Sequence, residues 1–502
     1  MIVFAQLAPF AKPVVDWHAL APEIVLTAGL CLLVVADVVK LDAFRRLAST
    51  LAGWVLLGAM IPILTLAWNG DDRSMFGGAF VVDNFALILK ATFLLSAYVV
   101  VLLSTNYVAE GDYWENEYYE MLLASVLGMV LMASARDLIT MFVALELLSI
   151  PAYLMATWRK RDLKSNEAGL KYYLMGVFAS SLMLYGMSLL FGVSGSTLLT
   201  DISRTVGQFD HSQPVITLGI ILVVVGFAFK VSSFPFHTWA PDTYEGAPTP
   251  VTSFLAVASK TAGFVALLQL VFVAFPARHD VYEPLMWVLA AGSMTFGNLV
   301  ALRQKNIVRL MAYSGIAQAG YMLAPLVVVG RSPESDSAAL EAIVTYLAIY
   351  AAMNLGAFAV IIAVARKTRT ADIDSYRGLF QYAPGLTVAM TVFLMSLAGI
   401  PPLGGWFAKF QIIKALVSAK GASGVVLTVV VAVNSVIALF YYAAIARRMW
   451  ADDVPDGDRT PVRIPPSLLA ALGITAVVTL IFGVFPQMVG HLTEVTLASA
   501  GG

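Results

Sequence analysis

Four ionisable side chains of the sequence lie deep inside long apolar stretches: Glu146, Lys230, Lys260 and Lys409. A charge at the centre of a membrane-spanning helix costs about 2.5–3.5 kcal/mol on insertion scales, so such a group avoids lipid and faces a bundle interior, a partner charge or a water-filled path. Groups in that position commonly belong to an ion or proton pathway. The chemistry that these residue types indicate is transfer of protons or cations.

The balance of charge among these groups favours a proton relay. Three lysines stand against one glutamate, so ion pairing inside the membrane cannot neutralise all of them. A buried amine without a carboxylate partner relieves the cost of its desolvation by giving up its proton. An amine that loses its proton readily can also pass one on. A purely structural salt bridge is the alternative interpretation for each residue.

Two of the apolar stretches are interrupted by prolines and glycines close to a lysine. Residues 397–410 read LAGIPPLGGWFAKF, and residues 226–254 read GFAFKVSSFPFHTWAPDTYEGAPTPVTSF. Paired interruptions in two halves of a chain are typical of transporters built from inverted repeats, with a pathway near the midplane. Unwound backbone is tolerated at membrane depth only where protein or water covers it. We therefore expect the breaks to admit water to Lys230 and Lys409.

A histidine lies beside the first break. His237 follows Lys230 by seven residues and would share its face if the helix continued. With Lys230 and Lys260 on either side of it in the sequence, a water-linked proton path through the imidazole is one interpretation. A core histidine with its hydrogen bonds satisfied is the other.

The remaining lysines of the apolar stretches have simpler explanations. Lys90 is expected to reach the membrane interface by extending its side chain from near a span end. Lys171 also lies near a span end, and for it a functional role stays open beside two simpler explanations: extension to the interface, or a pair with Glu167 one turn before it. Lys414 is expected to anchor the end of a helix.

The composition requires a lipid environment for the elements that carry these residues. The chain has 502 residues, of which 59% are hydrophobic and 13% charged, and a mean hydropathy of +0.82; soluble domains hold about 25% charged residues. The net charge of −1 excludes a basic surface for nucleic acid. The single cysteine, Cys31, excludes disulfides within the chain and clusters held by cysteines. We expect no metal site, no cofactor in this chain and no cleaved signal peptide.

Apolar segments of about 20 residues each predict an all-α polytopic membrane protein with fourteen spans. Spans 4–8 and 9–13 would form two inverted five-helix repeats, each with a broken helix. The predicted units are an N-terminal three-helix segment (1–117), a first repeat (118–275), a second repeat (284–446) and a loop with a final helix (447–502). The predicted bounds of the spans are 20–39, 47–68, 83–103, 118–134, 138–157, 168–192, 215–240, 249–275, 284–301, 308–330, 339–365, 384–418, 423–446 and 466–488.

The distribution of lysine and arginine predicts the orientation. The loops after odd-numbered spans hold 18 basic residues, and the opposite side, termini included, holds 7. Because cytoplasmic loops are enriched in lysine and arginine, both termini are predicted to lie on the non-cytoplasmic side of the membrane. The acidic loop EGDYWENEYYE lies on the predicted cytoplasmic side, which the rule tolerates.

Several motifs together resemble the antiporter-like membrane subunits of respiratory complex I, the NADH:quinone oxidoreductase. They are ALELLSIPAYLM, KVSSFPFHTWAPDTYEGAPTP, ASKTAGF, RQKNIVRLMAYSGIAQAGYML and LAGIPPLGGWFAKF, and they extend over most of residues 115–450. The start LAPEIVLTAGLCLLVVAD and the SGIAQAGYML stretch are most similar to the subunit N branch. The lysine in the broken twelfth span departs from the subunit M branch, where a glutamate is usual.

The resemblance implies a role for each candidate residue. It implies that Glu146 interacts with Lys230, that Lys260 links two half-channels, that Lys409 lies on the exit side and that His237 is the histidine beside the first break. It further implies a subunit that translocates protons while other subunits oxidise NADH and reduce quinone. Flavin and iron–sulfur clusters are then expected in partner subunits, and lipids and the other subunits of the complex as partners.

Two alternatives stay open from the sequence. The chain could be a subunit of a multisubunit cation/proton antiporter, which shares these motifs, although lysines in the pathway disfavour Na⁺ because a cation repels a cation. A passive structural subunit is the other alternative, and it leaves the central charges unexplained.

Overall fold

The computed structural model describes residues 15–39, 47–110, 115–209, 213–455 and 457–492. Helices make up most of that part of the chain, which confirms the predicted all-α polytopic fold. A small antiparallel hairpin of β1 (Arg73–Met75) and β2 (Phe80–Val82) joins spans 2 and 3. The terminal segments 1–14 and 493–502, whose side of the membrane was predicted, lie outside the described residues.

Helices lie at all fourteen predicted spans. Eleven of those in the described residues are long and apolar enough to cross a membrane; span 4 and the two interrupted spans are the others. The bounds of spans 1 to 6 are Ala21–Val38, Ala48–Asn69, Asn84–Ala109, Glu115–Ser134, Leu138–Ala156 and Leu163–Ser194. Spans 7 to 14 are Pro214–Lys230 with Trp239–Gly246, Thr249–Ala274, His279–Ala301, Ile307–Leu323, Pro333–Thr368, Pro384–Ala398 with Gly404–Ser418, Ala422–Ala451 and Pro466–Val484. Shorter helices cover Leu199–Gln208, Leu379–Tyr382 and Pro486–Leu492, and 3₁₀ turns cover Phe76–Gly78, Pro276–Arg278, Ala324–Val328 and Ile373–Tyr376.

Both predicted helix breaks are present. Span 7 stops at Lys230 and resumes at Trp239, and span 12 stops at Ala398 and resumes at Gly404. Proline ends a helix because it has no N–H to donate and its ring collides with the preceding turn. In span 12 the turn also needs glycine, since Gly399 has a φ of +90°. Each break holds a cis peptide bond, at Phe234–Pro235 and at Pro401–Pro402.

The two groups of five spans pack in the same manner. Span 4 lies against span 5 and span 9 against span 10, while span 6 packs on span 7 and span 11 on span 12. A glycine lets the backbones approach closely both between spans 4 and 5 and between spans 9 and 10. A Cβ at Gly128 would lie 2.6 Å from the amide nitrogen of Leu148, and one at Gly297 would lie 2.7 Å from the amide nitrogen of Ala317. Small residues at helix contacts are what membrane bundles use for close packing. This correspondence supports the two repeats, while their residue boundaries stay a prediction.

The predicted placement of Lys90 at the membrane interface is wrong. Its side chain is fully buried, and its Nζ lies 2.7 Å from Oε1 of Glu23 and 5.0 Å from the centre of the Phe80 ring. The lysine is two turns inside span 3, where span 1 covers it, so an ion pair replaces contact with water. The prediction for Lys171 is confirmed, since its Nζ lies 2.7 Å from Glu167. Lys414 is exposed near the end of span 12, as an anchoring residue would be.

Candidate functional site

Lys230 is the last residue of the first half of span 7, and the break that follows leaves its amine among hydroxyl groups. The residue is 4% exposed. Its Nζ donates to Oγ of Ser149 at 2.8 Å and to the Tyr172 hydroxyl at 3.3 Å. The Tyr172 ring stacks on Trp239 at 4.4 Å, so residues on both sides of the break enclose the amine. The partners of Lys230 are therefore polar and uncharged.

Glu146 lies one turn before Ser149 on span 5, in a half-buried position. Its Oε1 atom is buried and has no hydrogen-bond partner in the described part of the chain. The amine of Lys230 contacts the Ser149 hydroxyl instead of this carboxylate. The structure thus places the predicted acid and base on facing helices in an arrangement in which they do not form an ion pair. A carboxylate held near an amine without contact can approach it when the surroundings change.

Lys260 follows a π-helical turn, Leu255–Ser259, in the middle of span 8. It is 1% exposed, and its Nζ donates to the backbone carbonyl of Gly315 on span 10 at 2.8 Å. A Cβ at Gly315 would lie 3.0 Å from this nitrogen and 3.3 Å from the Tyr350 hydroxyl. A methyl group there would press on both polar atoms, so glycine leaves them room. Wider π turns are frequent at functional sites.

Lys409 lies in the second half of span 12 and binds the end of the first half. Its Nζ donates to the carbonyl of Ala398 at 2.9 Å and lies 4.5 Å from the centre of the Tyr321 ring. Ala398 ends the first half of the span, where backbone carbonyls have no partner within the helix and carry the negative end of its dipole. The interruption therefore supplies an uncharged acceptor for an amine that is 5% exposed.

His237 lies between the two halves of span 7. Because the helix ends at Lys230, as the predicted break requires, the condition under which the two residues would share a helix face is not met. The imidazole packs against the rings of Phe234 at 5.6 Å and Phe296 at 4.7 Å, and it is 5% exposed. Its Nδ1 has no hydrogen-bond partner among the residues described. The backbone of Pro235 interacts with the ring, and a buried polar atom without a hydrogen bond is uncommon in folded proteins.

A chain of hydrogen bonds begins beside Lys260 and runs toward Lys409. Ser314, next to the Gly315 carbonyl that binds Lys260, pairs its hydroxyl with that of Tyr442 at 2.5 Å. Nε2 of Gln318 donates to the Tyr442 hydroxyl at 3.4 Å. These groups lie on spans 10 and 13 and are buried. They extend the polar interior from the middle of span 8 into the second repeat.

Gln318 completes this connection. Its Nε2 also donates to the carbonyl of Leu397 at 3.1 Å, and its Oε1 accepts a short hydrogen bond from Tyr346. Leu397 precedes Ala398, whose carbonyl holds Lys409. The amide therefore joins the hydroxyl groups near Lys260 to the helix end that binds Lys409.

Lys230 and Lys260 are connected by side-chain packing, whereas a chain of hydrogen bonds runs from beside Lys260 toward Lys409. A Cβ at Gly263, one turn after Lys260, would lie 3.2 Å from Cγ of Lys230, so the lysine stem rests directly on span 8. The Tyr172 hydroxyl, which accepts from Lys230, also interacts with Ser259 beside Lys260. The three lysines thus lie along one buried polar row, in which neutral groups of the described residues stand between one lysine and the next.

The sequence did not single out the neutral members of this row, which are Ser149, Tyr172, Gln318, Tyr346 and Tyr442. Serine and tyrosine are frequent in membrane helices, and one hydroxyl among apolar residues carries no distinct signal. Gln318 offered the best clue, because a primary amide inside the AYSGIAQAGYML block needs several buried partners.

Comparison with known proteins shows the family to which this chain belongs. A family model described as NADH:quinone oxidoreductase/Mrp antiporter, TM matches residues 135–437, which is more than half of the chain. The chain belongs to this family. A curated relative in Koribacter versatilis, NADH-quinone oxidoreductase subunit N 1, is 38% identical over 97% of this chain and 96% of its own length.

Two solved structures share the fold of this chain. A chain of respiratory complex I from Thermus thermophilus, solved with bound aureothin, is 31% identical with a TM-score of 0.77, covering 95% of this chain and all of that chain. A chain of the Mrp complex from Dietzia sp. has a TM-score of 0.83 over 96% of this chain and 97% of that chain. At 20% identity the second likeness shows the fold alone.

Proposed function

We propose that this chain is a proton-translocating membrane subunit of an NADH:quinone oxidoreductase, a translocase subunit that performs no redox chemistry itself. Protons would move along the buried row formed by Lys230, Lys260 and Lys409, with Glu146 and His237 beside its first break. The sequence identity to subunit N relatives over nearly the full chain supports the assignment to that complex.

The observation that carries the proposal is the chemistry of the partners of the lysines. Among the described residues, the amines bind the Ser149 and Tyr172 hydroxyls, the Gly315 carbonyl and the Ala398 carbonyl, and none of these groups carries a charge. A neutral acceptor remains satisfied whether the lysine is an ammonium or an amine with one N–H directed at it. A carboxylate at contact distance would favour the ammonium form, and Lys90 has such a partner in Glu23. The contrast supports a transport role for the three lysines and a structural role for Lys90.

Glu146 supplies the variable charge. An approach of its carboxylate to Lys230 would stabilise the ammonium form, and its withdrawal would leave the amine with hydroxyl partners only. Alternation between the two arrangements would load and release a proton at the entrance of the row. A change in another subunit during quinone reduction would drive the alternation.

The partners follow from this proposal. Flavin, iron–sulfur clusters and quinone would be bound by other subunits, and this chain would lie in a bacterial cell membrane among them and the lipids. The face that carries the basic loops would be cytoplasmic and both termini non-cytoplasmic.

The test uses the purified complex in liposomes, with NADH-driven proton uptake followed by a pH-sensitive dye. Glu146→Gln and Lys230→Met should each remove most of the uptake while the complex assembles. Lys414→Met, which changes an exposed lysine, should pump as the wild type does. Full uptake in both Glu146→Gln and Lys230→Met would refute the proposal.

The second candidate, a subunit of a cation/proton antiporter, is favoured by the description of the family model and by the shared fold of the Mrp chain. Uncharged or cationic groups along the row give Na⁺ few oxygen ligands of the hard, charged kind. Transport of Na⁺ driven by a pH gradient, without any dependence on NADH, would favour this second candidate.

A further inference from the structure

A large basic cavity lies on the face that carries most of the lysines and arginines of the loops, and the proposed proton relay does not use it. Its volume is about 930 Å³. It is enclosed by the ends of spans 3 and 11, the segment between spans 7 and 8, and residues 460–463 of the loop between spans 13 and 14. Five basic side chains line it: Arg159, Arg366, Lys367, Arg369 and Arg463. A cleft lined by one sign of charge concentrates ions of the opposite sign, so this cavity favours an anion.

The acidic side chains of the cavity wall do not neutralise this charge. Oε1 of Glu110 accepts from Arg366 at 2.6 Å. Oε2 of Glu245 accepts at 2.9 Å from Arg309, which lies outside the wall. Each acid is thus already paired with an arginine. The positive charge of the other basic residues is therefore not balanced within the wall.

Lys367 fixes the loop that closes the cavity. Its Nζ donates to the carbonyls of Asp458 at 3.0 Å and Thr460 at 2.7 Å. The loop that carries Arg463 is thereby held against the end of span 11, which Arg369 follows directly. Both arginines thus reach the same cavity from two different parts of the chain.

The guanidinium groups of Arg369 and Arg463 are free to bind a ligand. Within the described part of the chain, neither side chain takes part in a hydrogen bond or an ion pair. Arg366 and Lys367 differ, because they have partners and lie in the last turn of span 11, where cations interact favourably with the helix dipole. A guanidinium presents its N–H groups in a planar fork that binds a phosphate through two parallel hydrogen bonds.

Arg369 has a backbone conformation that costs free energy. Span 11 ends at Thr368, and Arg369 follows with a φ of +56°. Glycine or asparagine usually takes this left-handed position after a helix, because a larger side chain brings Cβ close to the following carbonyl oxygen. Strain of this kind is concentrated at functional sites. It supports a use for the arginine side chain beyond ending the helix.

The start of span 8 adds positive potential to the same cavity. The helix Thr249–Ala274 begins at a residue that lines the cavity, and no side chain caps it in the described residues. The first N–H groups of a helix carry the positive end of its dipole, so its N-terminus stabilises a nearby anion. This contribution has the same sign as the charge of the arginines.

We propose that the cavity binds a phosphate-bearing anion, whose phosphate group is held by the guanidinium groups of Arg369 and Arg463. Val308, Ile361 and Ile362 form an apolar part of the wall, which can cover the carbon skeleton of the ligand. An anionic phospholipid of the adjacent leaflet and a soluble phosphate compound share this chemistry. The inference does not depend on the proposed proton relay, since it requires only the cavity and its charges.

The experiment measures ligand binding to the purified complex after its lipids have been exchanged for detergent. Radiolabelled phosphatidylglycerol in dodecyl maltoside micelles is the lipid probe, and radiolabelled inorganic phosphate is the soluble probe. The test variant combines Arg369→Gln with Arg463→Gln, which removes both charges and keeps polar side chains. The matched control combines Arg303→Gln with Lys305→Gln, which removes two exposed charges from the loop between spans 9 and 10, outside the cavity wall.

We expect the test variant to raise the probe concentration at half saturation of the tightest class of site about tenfold or more, because a hydrogen bond to a charged group contributes roughly that factor to affinity. The control variant should bind as the wild type does. Weakened binding of phosphatidylglycerol identifies a site for a lipid headgroup, and weakened binding of phosphate identifies a site for a soluble phosphate compound. Equal binding of both probes by the wild type and the test variant overturns the inference.

Arg463→Glu provides a second test if the double variant does not assemble. Arg463 is exposed on a loop, so its replacement disturbs no span. The reversed charge should weaken binding more than Arg463→Gln does, because a carboxylate repels the phosphate. Unchanged binding of both probes in an assembled Arg463→Glu complex also overturns the inference.

Discussion

The buried pair of Glu23 and Lys90 permits a quantitative test of the distinction between structural and transporting lysines. Their charged atoms are 2.7 Å apart, with side-chain exposures of 7% and 0%. Replacing Lys90 by methionine keeps the volume but leaves a carboxylate buried without its cation. Breaking a buried pair in this way costs about 3–5 kcal/mol. We therefore expect Lys90→Met to reduce the thermal stability of the complex strongly.

The matched substitution is Lys260→Met. Lys260 binds only the uncharged carbonyl of Gly315 in the described structure, so its removal leaves one buried acceptor unsatisfied, at a cost of about 1–3 kcal/mol. The double variant Glu23→Leu with Lys90→Met should recover most of the stability, because replacing both members of a buried pair by apolar residues is often neutral or stabilising by about 1–4 kcal/mol. Stability should therefore rank Lys90→Met below Lys260→Met and below the double variant.

The assay is the temperature at which the purified complex loses its monodisperse elution in detergent, measured for the three variants and the wild type. Proton uptake in liposomes is measured alongside, and it should fail in Lys260→Met despite the smaller loss of stability. Lys90→Met as stable as the wild type, or a double variant no better than Lys90→Met, would refute the assignment of this pair as structural.

Three further predictions concern the groups around the row and the loop before span 1. Gln318→Leu should reduce proton uptake severely because it removes the hydrogen bonds that link Tyr442 to the Leu397 carbonyl. The control is Gln269→Leu, which also removes a buried amide that donates to two carbonyls; it should lower stability but leave proton uptake unchanged. Gly315→Ala should slow uptake several-fold, since its methyl group would lie 3.0 Å from Nζ of Lys260, whereas Gly192→Ala, with open space around it, should have no effect on uptake. The amide of Ala19 and the guanidinium of Arg73 hold the pKa of Asp16 below its ordinary value. The stability that Asp16 contributes should therefore be full above about pH 4 and be lost as the pH falls through the lowered pKa. The difference in thermal stability between the wild type and Asp16→Asn should then become smaller in acid. A difference that is unchanged between about pH 6 and pH 3 would contradict this.

The sequence was sufficient for the spans and for the helix breaks because both depend on local chemistry. Long apolar runs define spans whatever their neighbours. The breaks combine prolines with nearby serines or glycines, whereas the isolated prolines at 62, 151 and 284 lie inside helices. The pairing of Lys171 with Glu167 was predictable for the same reason, since both lie on one helix surface.

Contacts between distant spans were not predictable in this way. Lys90 was placed at the interface because its partner, Glu23, is 67 residues away on another span. The position of His237 depends on how the chain folds between Lys230 and Trp239, and its ring packs against Phe296 of another span. The row of hydroxyls and the amide of Gln318 follow from the packing of spans 8, 10, 12 and 13, which no single segment encodes.

The central claim is that lysines bound to neutral acceptors inside the bundle carry protons, and two lysines on one helix test it most directly. Lys409, buried against the Ala398 carbonyl, and Lys414, exposed five residues later, are each replaced by methionine, and proton uptake per NADH oxidised is measured in liposomes. The account predicts that Lys409→Met assembles and loses most of its uptake while Lys414→Met retains the wild-type value. Equal, wild-type uptake in both variants would contradict it.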